Sequence, residues 1–179
     1  MVNEKNKIFL EDFSKRPELI GILVDALVAT ISNFTQVVVT AGPASLRVKR
    51  EGHKFAAASV IRFQGASLSM ELVLALPKPL LLRMASQVFK QDVGEVSVAQ
   101  DLVGELLNIS FGTIDPMMAG RGHKLKSSFP QNFSGGRLTS LFTELPQERI
   151  YIPLAAGSEE FALEILAPGA LGIKWAYTP

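Results

Sequence analysis

One segment constrains the fold of this chain more than any other: Ser97–Gly122, with the sequence SVAQDLVGELLNISFGTIDPMMAGRG. Its apolar side chains recur every three or four residues, at Val98, Leu102, Leu106 and Ile109. Polar residues and a glycine recur at the same spacing on a second face, at Asp101, Glu105, Asn108, Gly112 and Asp115. This spacing matches the period of an α-helix. The segment therefore predicts a long helix with one buried face and one polar face.

The ends and the interior of this helix carry their own signals. Ser97 and Gln100 have the S-x-x-Q spacing of a capping box, which predicts that the helix begins there. Gly112 costs about 1 kcal/mol relative to alanine inside a helix, which indicates that something approaches the backbone closely. Pro116 removes a helical hydrogen bond, so we expect either a kink or a new short helix capped by Asp115.

Strand patterns surround this helix. Residues 55–63 and 67–76 predict a hairpin across Gln64-Gly65-Ala66. Alternation in the second strand predicts one buried face and one partly wet face, and Glu71 belongs to the wet one. Helices are predicted at 17–34 and 80–90, and further strands at 36–40, 123–129, 138–144, 149–154 and 161–166. The Gly135-Gly136 pair is interpreted as a turn that no helix follows.

These elements predict an α+β fold in which long helices pack on a mostly antiparallel β-sheet. Residues 17–90 and 97–167 repeat a similar order of elements, a weak sign of internal duplication. We expect residues 1–15 to form an N-terminal arm and residues 16–179 to form a single domain.

Composition excludes several classes of function. The 18 basic and 17 acidic residues leave no bulk positive charge for nucleic acid. The absence of cysteine excludes disulfides, thiol nucleophiles and thiolate-bound metals. His53 and His123 lie too far apart in sequence for a metal motif.

The most apolar run, 72–82, is interrupted by prolines and is too short to cross a membrane. Without a secretory signal at the N-terminus, we expect a cytoplasmic protein that binds neither membrane nor nucleic acid.

A wider motif extends from the helix. Gly104-Glu105-Leu106-Leu107-Asn108 is followed by Gly112, by a glycine turn at Gly122, and by the Pro130–Gly135 segment. This arrangement resembles the CheX/CheC-type chemotaxis phosphatase family, and the resemblance in element order runs from about residue 19 to residue 167. It implies a CheC-like fold.

The resemblance also implies which type of family member this chain is similar to. CheC-type members carry an acidic-x-x-Asn motif in both halves, and CheX-type members carry one. The first helix offers Asp25 followed by Val28, and valine has no amide group. The chain therefore resembles the CheX-like, single-site type.

The resemblance implies a phosphatase (a hydrolase) acting on the phosphoaspartate of a CheY-like response regulator. In this role Asn108 is expected to position the attacking water, and Glu105 is expected to pair with a lysine of the receiver domain. We expect the chain itself to bind no cofactor, and Mg²⁺ is expected on the receiver partner. The resemblance also implies a homodimer. An asparagine amide suits this role because it accepts and donates hydrogen bonds without needing to titrate.

Two other interpretations of the sequence remain open. The domain is alternatively a catalytically inactive docking or scaffold domain in a two-component or flagellar-switch assembly. A third interpretation is a plain α+β domain that dimerises through a sheet edge, its E-x-x-N spacing accidental. Arg121, Lys124 and Lys126 form a small basic cluster, either a solvated face or a contact to an acidic receiver surface. Trp175 is expected to be a packing anchor.

Overall fold

The structure, a computed structural model, describes residues 4–47, 55–144 and 148–176. The helices are α1 (Glu4–Ser14), α2 (Pro17–Thr35), α3 (Lys78–Phe89), α4 (Val96–Ala99), α5 (Asp101–Ala119) and α6 (Gly135–Glu144). The strands are β1 (Thr40–Ala41), β2 (Ser45–Arg47), β3 (Ala57–Gln64), β4 (Ser69–Leu76), β5 (Lys126–Ser127), β6 (Gln131–Ser134), β7 (Arg149–Ala156) and β8 (Glu159–Leu166).

The eight strands of the described residues form one antiparallel sheet, as the sequence predicts. Its order is β1-β7-β8-β4-β3-β5, with β2 also paired to β7 and β6 also paired to β3. Two full-length hairpins, β3–β4 and β7–β8, meet at the β4–β8 pairing in the middle of the sheet. Short strands form both edges.

The two halves of the chain share an order of elements, in agreement with the predicted duplication. Each half begins with a 19-residue helix, α2 or α5, and continues through two short strands to a long hairpin. The halves differ in that α6 precedes the hairpin of the second half and α3 follows the hairpin of the first. The short strands cross over: β1 and β2 pair with β7 of the second half, and β5 and β6 pair with β3 of the first half. This exchange makes the halves interdependent parts of one sheet.

The main core lies between the sheet and the helices on one of its faces. α2 and α5 pack against each other, and α5 also contacts β3 and β4. α1 adds Leu10 and Phe13 to this core, both almost fully buried. A second, smaller cluster covers the opposite face with α6 and the chain after β8. Both faces of the central strands are therefore buried.

α2 is the one helix among the described residues that is long and apolar enough to span a bilayer, with a mean hydropathy of 1.5 over its best window. Half of that window is buried inside the protein, mostly against α5 and α3. This burial is typical of the core helix of a globular domain.

The predicted strand at 138–144 is wrong, because α6 begins at Gly135. Gly135 has φ +53°, a conformation that glycine adopts without strain, and the helix continues from it. Leu138 and Leu141, three residues apart, are the buried residues of α6. The predicted strand at 123–129 shrinks to β5, and the Pro130–Gly135 segment contains β6, a strand that the sequence does not predict.

The prediction that one face of β4 is partly exposed to water is also wrong, because Glu71, which lies on that face, is completely buried. One of its oxygens, Oε1, accepts hydrogen bonds from Gly169 N at 2.9 Å and from Trp175 Nε1 at 3.3 Å. Arg62 is its cross-strand partner on β3. Burial raises the pKa of Glu71 above 4.5, against the opposing effects of these hydrogen bonds and of Arg62. Glu71 thus anchors the chain after β8, and Trp175 is a packing anchor as predicted.

Stability is expected to depend on pH through Glu71. Because its folded pKa is raised, the folded protein retains a proton that the unfolded chain has already released above pH 4.5. Stability therefore falls as pH rises through the window between the two pKa values. Glutamine keeps an acceptor oxygen for Gly169 and Trp175 and cannot ionise.

We predict that the free energy of unfolding of Glu71→Gln, relative to that of wild type, is larger at about pH 8 than at about pH 5. Urea denaturation at the two pH values measures this difference. Glu160→Gln, at an exposed position of β8, is the matched control and gains nothing over this range. A Glu71→Gln effect of the same size at both pH values would contradict the prediction.

Candidate functional site

The candidate site is built on α5, whose inner face fixes it in the core. The buried residues of this helix are Leu102, Val103, Gly104, Leu106, Leu107, Ser110, Ile114 and Met118. The predicted stripe is partly wrong: Val98 is 54% exposed and Ile109 is half-buried. Val98 lies in the separate helix α4, so the period of α5 does not extend to it. Leu102 and Leu106 are buried as predicted.

The polar face of α5 is at the surface, as predicted. Asp101, Glu105, Asn108 and Gly112 are exposed, and Asp115 is half-buried. Residues three apart on a helix lie side by side, so Glu105 and Asn108 point outward from neighbouring positions. Within the described ranges, neither side chain forms a hydrogen bond or an ion pair. Both are therefore available to a partner.

The start of the helical region differs in detail from the predicted capping box. Helix α4 begins at Val96 after Glu95, without a side-chain cap. Gln100 instead uses its side-chain oxygen to accept a hydrogen bond from the Ser134 hydroxyl. The polar group that the sequence assigns to a helix cap thus joins α5 to the end of β6.

Pro116 does not end the helix. α5 continues through it to Ala119, so the predicted new helix capped by Asp115 is wrong. Asp115 instead accepts a hydrogen bond from Leu125 N at 3.3 Å through Oδ1, which joins the end of α5 to the chain before β5. Proline has no N–H to donate to the carbonyl of Gly112, one turn earlier on the exposed face.

At Gly104, next to Glu105, α5 packs closely against the segment that contains β6. A Cβ atom there would lie 2.4 Å from Asn132 Oδ1 and 3.1 Å from Pro130 Cβ. Asn132 Nδ2 also donates a hydrogen bond of 3.0 Å to Asp101 Oδ1, on the turn before Gly104. The segment of Pro130 and Asn132 therefore locks the rotation of α5 at the turn that carries Glu105.

Sequence reasoning identified Gly104 and Pro130 only as parts of a motif and missed Asn132. Asn132 lies 28 positions after Gly104, and no periodicity links the two residues. Gly112 behaves differently: no atom lies within 4 Å of a Cβ built on it, so it faces open space. The predicted close approach at Gly112 thus involves no described residue of this chain.

The duplicated helix α2 supports a single site. Five of its buried positions correspond to buried positions of α5 with a shift of 80 residues: Ile22, Leu23, Ala26, Leu27 and Thr30 to Leu102, Val103, Leu106, Leu107 and Ser110. This register places Asp25 at the position of Glu105 and Val28 at that of Asn108. Asp25 is exposed and Val28 is half-buried against the core. Because valine has no amide, α2 presents the carboxylate of Asp25 without an asparagine amide beside it.

The described residues do not form a metal centre. No three acidic or histidine side chains among them come together as metal binding requires. Asp101, the next carboxylate along the polar face, already accepts a hydrogen bond from Asn132. The polar face offers hydrogen-bonding groups and one free carboxylate to a partner.

The packing at Gly104 generates a prediction with an internal control. Gly104→Ala forces Asn132 away from Asp101 and is expected to cost about 1–3 kcal/mol of stability, as overpacking does. Gly112→Ala, in the same helix but in open space, is expected to gain about 1 kcal/mol. Chemical denaturation measures both.

A double-mutant cycle tests the cause of the Gly104 effect. Adding Asn132→Ala to Gly104→Ala removes the clashing oxygen, so the double variant is expected to lose less stability than the sum of the two single variants. Strict additivity would show that the Asn132 contact is not the source of the cost.

The fold of this chain is found in solved structures of chemotaxis proteins. A CheC-like superfamily protein from Shewanella sp. PV-4 matches with a TM-score of 0.68 and 19% identity, covering 83% of this chain and 96% of that one. The CheX chain in a CheX–CheY–BeF₃–Mg²⁺ complex from Borrelia burgdorferi matches with a TM-score of 0.67 and 14% identity, covering 82% and 96%.

A further solved structure shares the fold more distantly. FliY from Thermotoga maritima matches with a TM-score of 0.58 and 14% identity, covering 96% of this chain and 93% of that one. No family model matches the sequence, and no curated protein matches it. The structural likeness confirms the resemblance drawn from the sequence: the chain has the CheC-like fold of the CheX/CheC-type chemotaxis proteins.

Proposed function

We propose that this chain hydrolyses the phosphoaspartate of a CheY-like response regulator. The observation that carries the proposal is the pair Glu105 and Asn108, exposed side by side on a helix whose opposite face is locked in the core. The Borrelia neighbour, a CheX solved with CheY, BeF₃ and Mg²⁺, supports a receiver domain as the partner of this fold.

Asn108 is the group we assign to the attacking water. Phosphoryl transfer passes through a loose transition state, so catalysis depends mainly on positioning and on charge stabilisation. The side-chain oxygen of Asn108 accepts a hydrogen bond from the water and aligns it with the bond to be broken. The water oxygen bonds to phosphorus while the bond to the aspartyl oxygen breaks and its electron pair returns to the carboxylate. The products are free aspartate, inorganic phosphate and a proton.

Glu105 has a different role in this proposal. A carboxylate repels the phosphoryl group, so Glu105 does not activate the nucleophile directly. It pairs instead with a cationic side chain of the receiver, a lysine beside the phosphorylation site, and thereby orients the two surfaces. The pairing is possible because no described residue of this chain occupies the carboxylate.

Mg²⁺ comes with the receiver in this proposal. The described residues of this chain form no metal cluster, whereas the acidic residues of a receiver domain supply ligands of the kind that Mg²⁺ prefers. When bound, Mg²⁺ neutralises charge on the phosphoryl oxygens. The contribution of this chain is to bring Asn108 to the side of the phosphorus atom that lies opposite the leaving aspartyl oxygen.

The kinetic test separates the two roles. Asn108→Ala is expected to lower kcat by about 100-fold because the water loses its alignment. Glu105→Gln is expected to raise KM several-fold and to leave kcat closer to wild type, because it weakens docking. The assay follows loss of phosphate from a phosphorylated CheY-type receiver in Mg²⁺.

Thr113→Ala, exposed on α5 outside the polar face, is the control and retains wild-type kinetics. Wild-type rates in both the Asn108→Ala and Glu105→Gln variants would overturn the assignment of the site.

A docking or scaffold domain in a flagellar-switch assembly is the second candidate. The resemblance drawn from the sequence leaves this role open, and the fold is shared with FliY at a TM-score of 0.58. This alternative predicts that the wild-type chain binds the receiver and leaves the rate of phosphate loss unchanged. A binding titration beside the kinetic assay therefore distinguishes the two functions.

We also propose that the chain is a homodimer that associates through the β1/β2 edge of the sheet. Leu46 in β2 is 44% exposed and Val38, just before β1, is 78% exposed. Exposed edge strands pair readily with other strands. Light scattering is expected to give twice the monomer mass for wild type and the monomer mass for Leu46→Asp. A monomeric wild type at micromolar concentration would contradict the proposal.

A further inference from the structure

We infer that the groove at the C-terminal end of α5 is a second docking surface, which receives an acidic segment of the receiver domain that also carries an apolar side chain. This inference rests on the proposed function. The α5-end groove has a volume of about 810 Å³ and is lined by residues 64–66 of the β3–β4 turn, by Asp115 and Ala119 of α5, and by residues 124–126.

The groove is continuous with the proposed site. Asn108, Gly112, Asp115 and Ala119 follow one another at spacings of four, three and four residues, so they lie on one side of α5. At a rise of 1.5 Å per residue, Asp115 lies about 10 Å along the helix from Asn108. A protein partner that covers Glu105 and Asn108 also reaches the groove, because specific interfaces bury about 800 Å² on each side.

Gly112 keeps the path between the two places clear. It is exposed, and no atom lies within 4 Å of a Cβ built on it. The partner surface therefore passes from Asn108 to the groove without meeting a side chain at this turn. The close approach that the sequence predicts at Gly112 is here assigned to the partner surface.

The charge of the groove selects an acidic partner. Lys124 and Lys126 are exposed on its lining, and Arg121 is exposed just before them. Within the part of the chain that the structure describes, none of the three forms an ion pair. Asp115 is the carboxylate of the lining, and it already accepts a hydrogen bond from Leu125 N. Since the whole chain has a net charge of only +1, this local excess of positive charge is distinctive.

The apolar part of the lining selects a second feature of the partner. Ala66 and Ala119, both exposed, contribute apolar surface to a lining that also includes the buried Leu125. A purely acidic loop would leave this surface in contact with water. An acidic segment with one apolar side chain satisfies both parts of the groove.

The walls of the groove are held in place before any partner binds. A Cβ on Gly65 would lie 2.4 Å from Lys124 O and 3.0 Å from Leu125 Cδ2, so the β3–β4 turn packs tightly on this segment. Ser67 Oγ and His123 Nδ1 are hydrogen-bonded at 2.9 Å on the same side. A preformed surface costs little ordering entropy on binding.

The test reverses the charge of the groove. The variant Lys124→Glu/Lys126→Glu is titrated with a BeF₃-activated, Mg²⁺-loaded CheY-type receiver at low and at high salt. We expect its Kd to rise about tenfold at low salt and the difference to shrink at high salt, because exposed charges are screened. Lys7→Glu/Lys78→Glu, with the same change of net charge on exposed lysines of α1 and α3, is the matched control and keeps the wild-type Kd.

Two further measurements make the result decisive. Lys124→Gln/Lys126→Gln removes the charge with less risk to folding and is expected to show a smaller loss in the same direction. In the phosphatase assay, the charge-reversed variant is expected to raise KM and keep the kcat of wild type, since Asn108 is untouched. A Kd within twofold of wild type, or an equal loss in the matched control, would overturn the inference.

Failure of the proposed function gives a different pattern. If the wild-type chain binds an activated receiver without speeding phosphate loss, the phosphatase proposal fails, and the Kd values still decide the role of the groove. If it binds none of the activated CheY-type receivers encoded in its own genome, both proposals fail.

Discussion

The close packing of α5 against the segment of Pro130 and Asn132 is the contact on which the rest of the site depends. It requires glycine at position 104, where a Cβ would lie 2.4 Å from Asn132 Oδ1. The hydrogen bond from Asn132 to Asp101 ties the preceding turn of the helix to β6. Together these contacts set the rotation of α5, and that rotation decides that Glu105 and Asn108 face the solvent. Catalysis by positioning requires a side chain such as that of Asn108 to be held within a fraction of an ångström, and a helix fixed in this way meets the requirement.

The sheet extends this constraint to the whole domain. β6 pairs with β3, and β3 belongs to the first half of the chain, so the segment that fixes the site helix is itself held by the other half. The chain after β8 adds a further tie, because Ala176 O accepts a hydrogen bond from Phe129 N at 2.8 Å, next to Pro130. Trp175 and Gly169 bind the buried carboxylate of Glu71 in the same region. The helix that carries the exposed pair is thus held by contacts from distant parts of the chain.

The sequence predicted the features that depend on local periodicity. The long helices and the central hairpin were found because their apolar residues repeat at 3.6 or 2 residues, and the polar face of α5 was found for the same reason. Features that depend on distant contacts were missed. Glu71 looked like a half-wet strand residue because the chain that covers it lies about 100 positions later, at Gly169 and Trp175. α6 was missed because its glycine pair suggested a turn, although the helix begins at that pair.

The measurement that tests the central claim most directly is the structure of this chain in complex with a BeF₃-activated, Mg²⁺-loaded CheY-type receiver. The proposal predicts that the Asn108 amide lies within hydrogen-bonding distance, about 3 Å, of a water in line with the aspartyl oxygen–beryllium bond. It also predicts that Glu105 pairs with a lysine of the receiver. A receiver bound elsewhere on the chain, or an Asn108 side chain directed away from the beryllium, would contradict it.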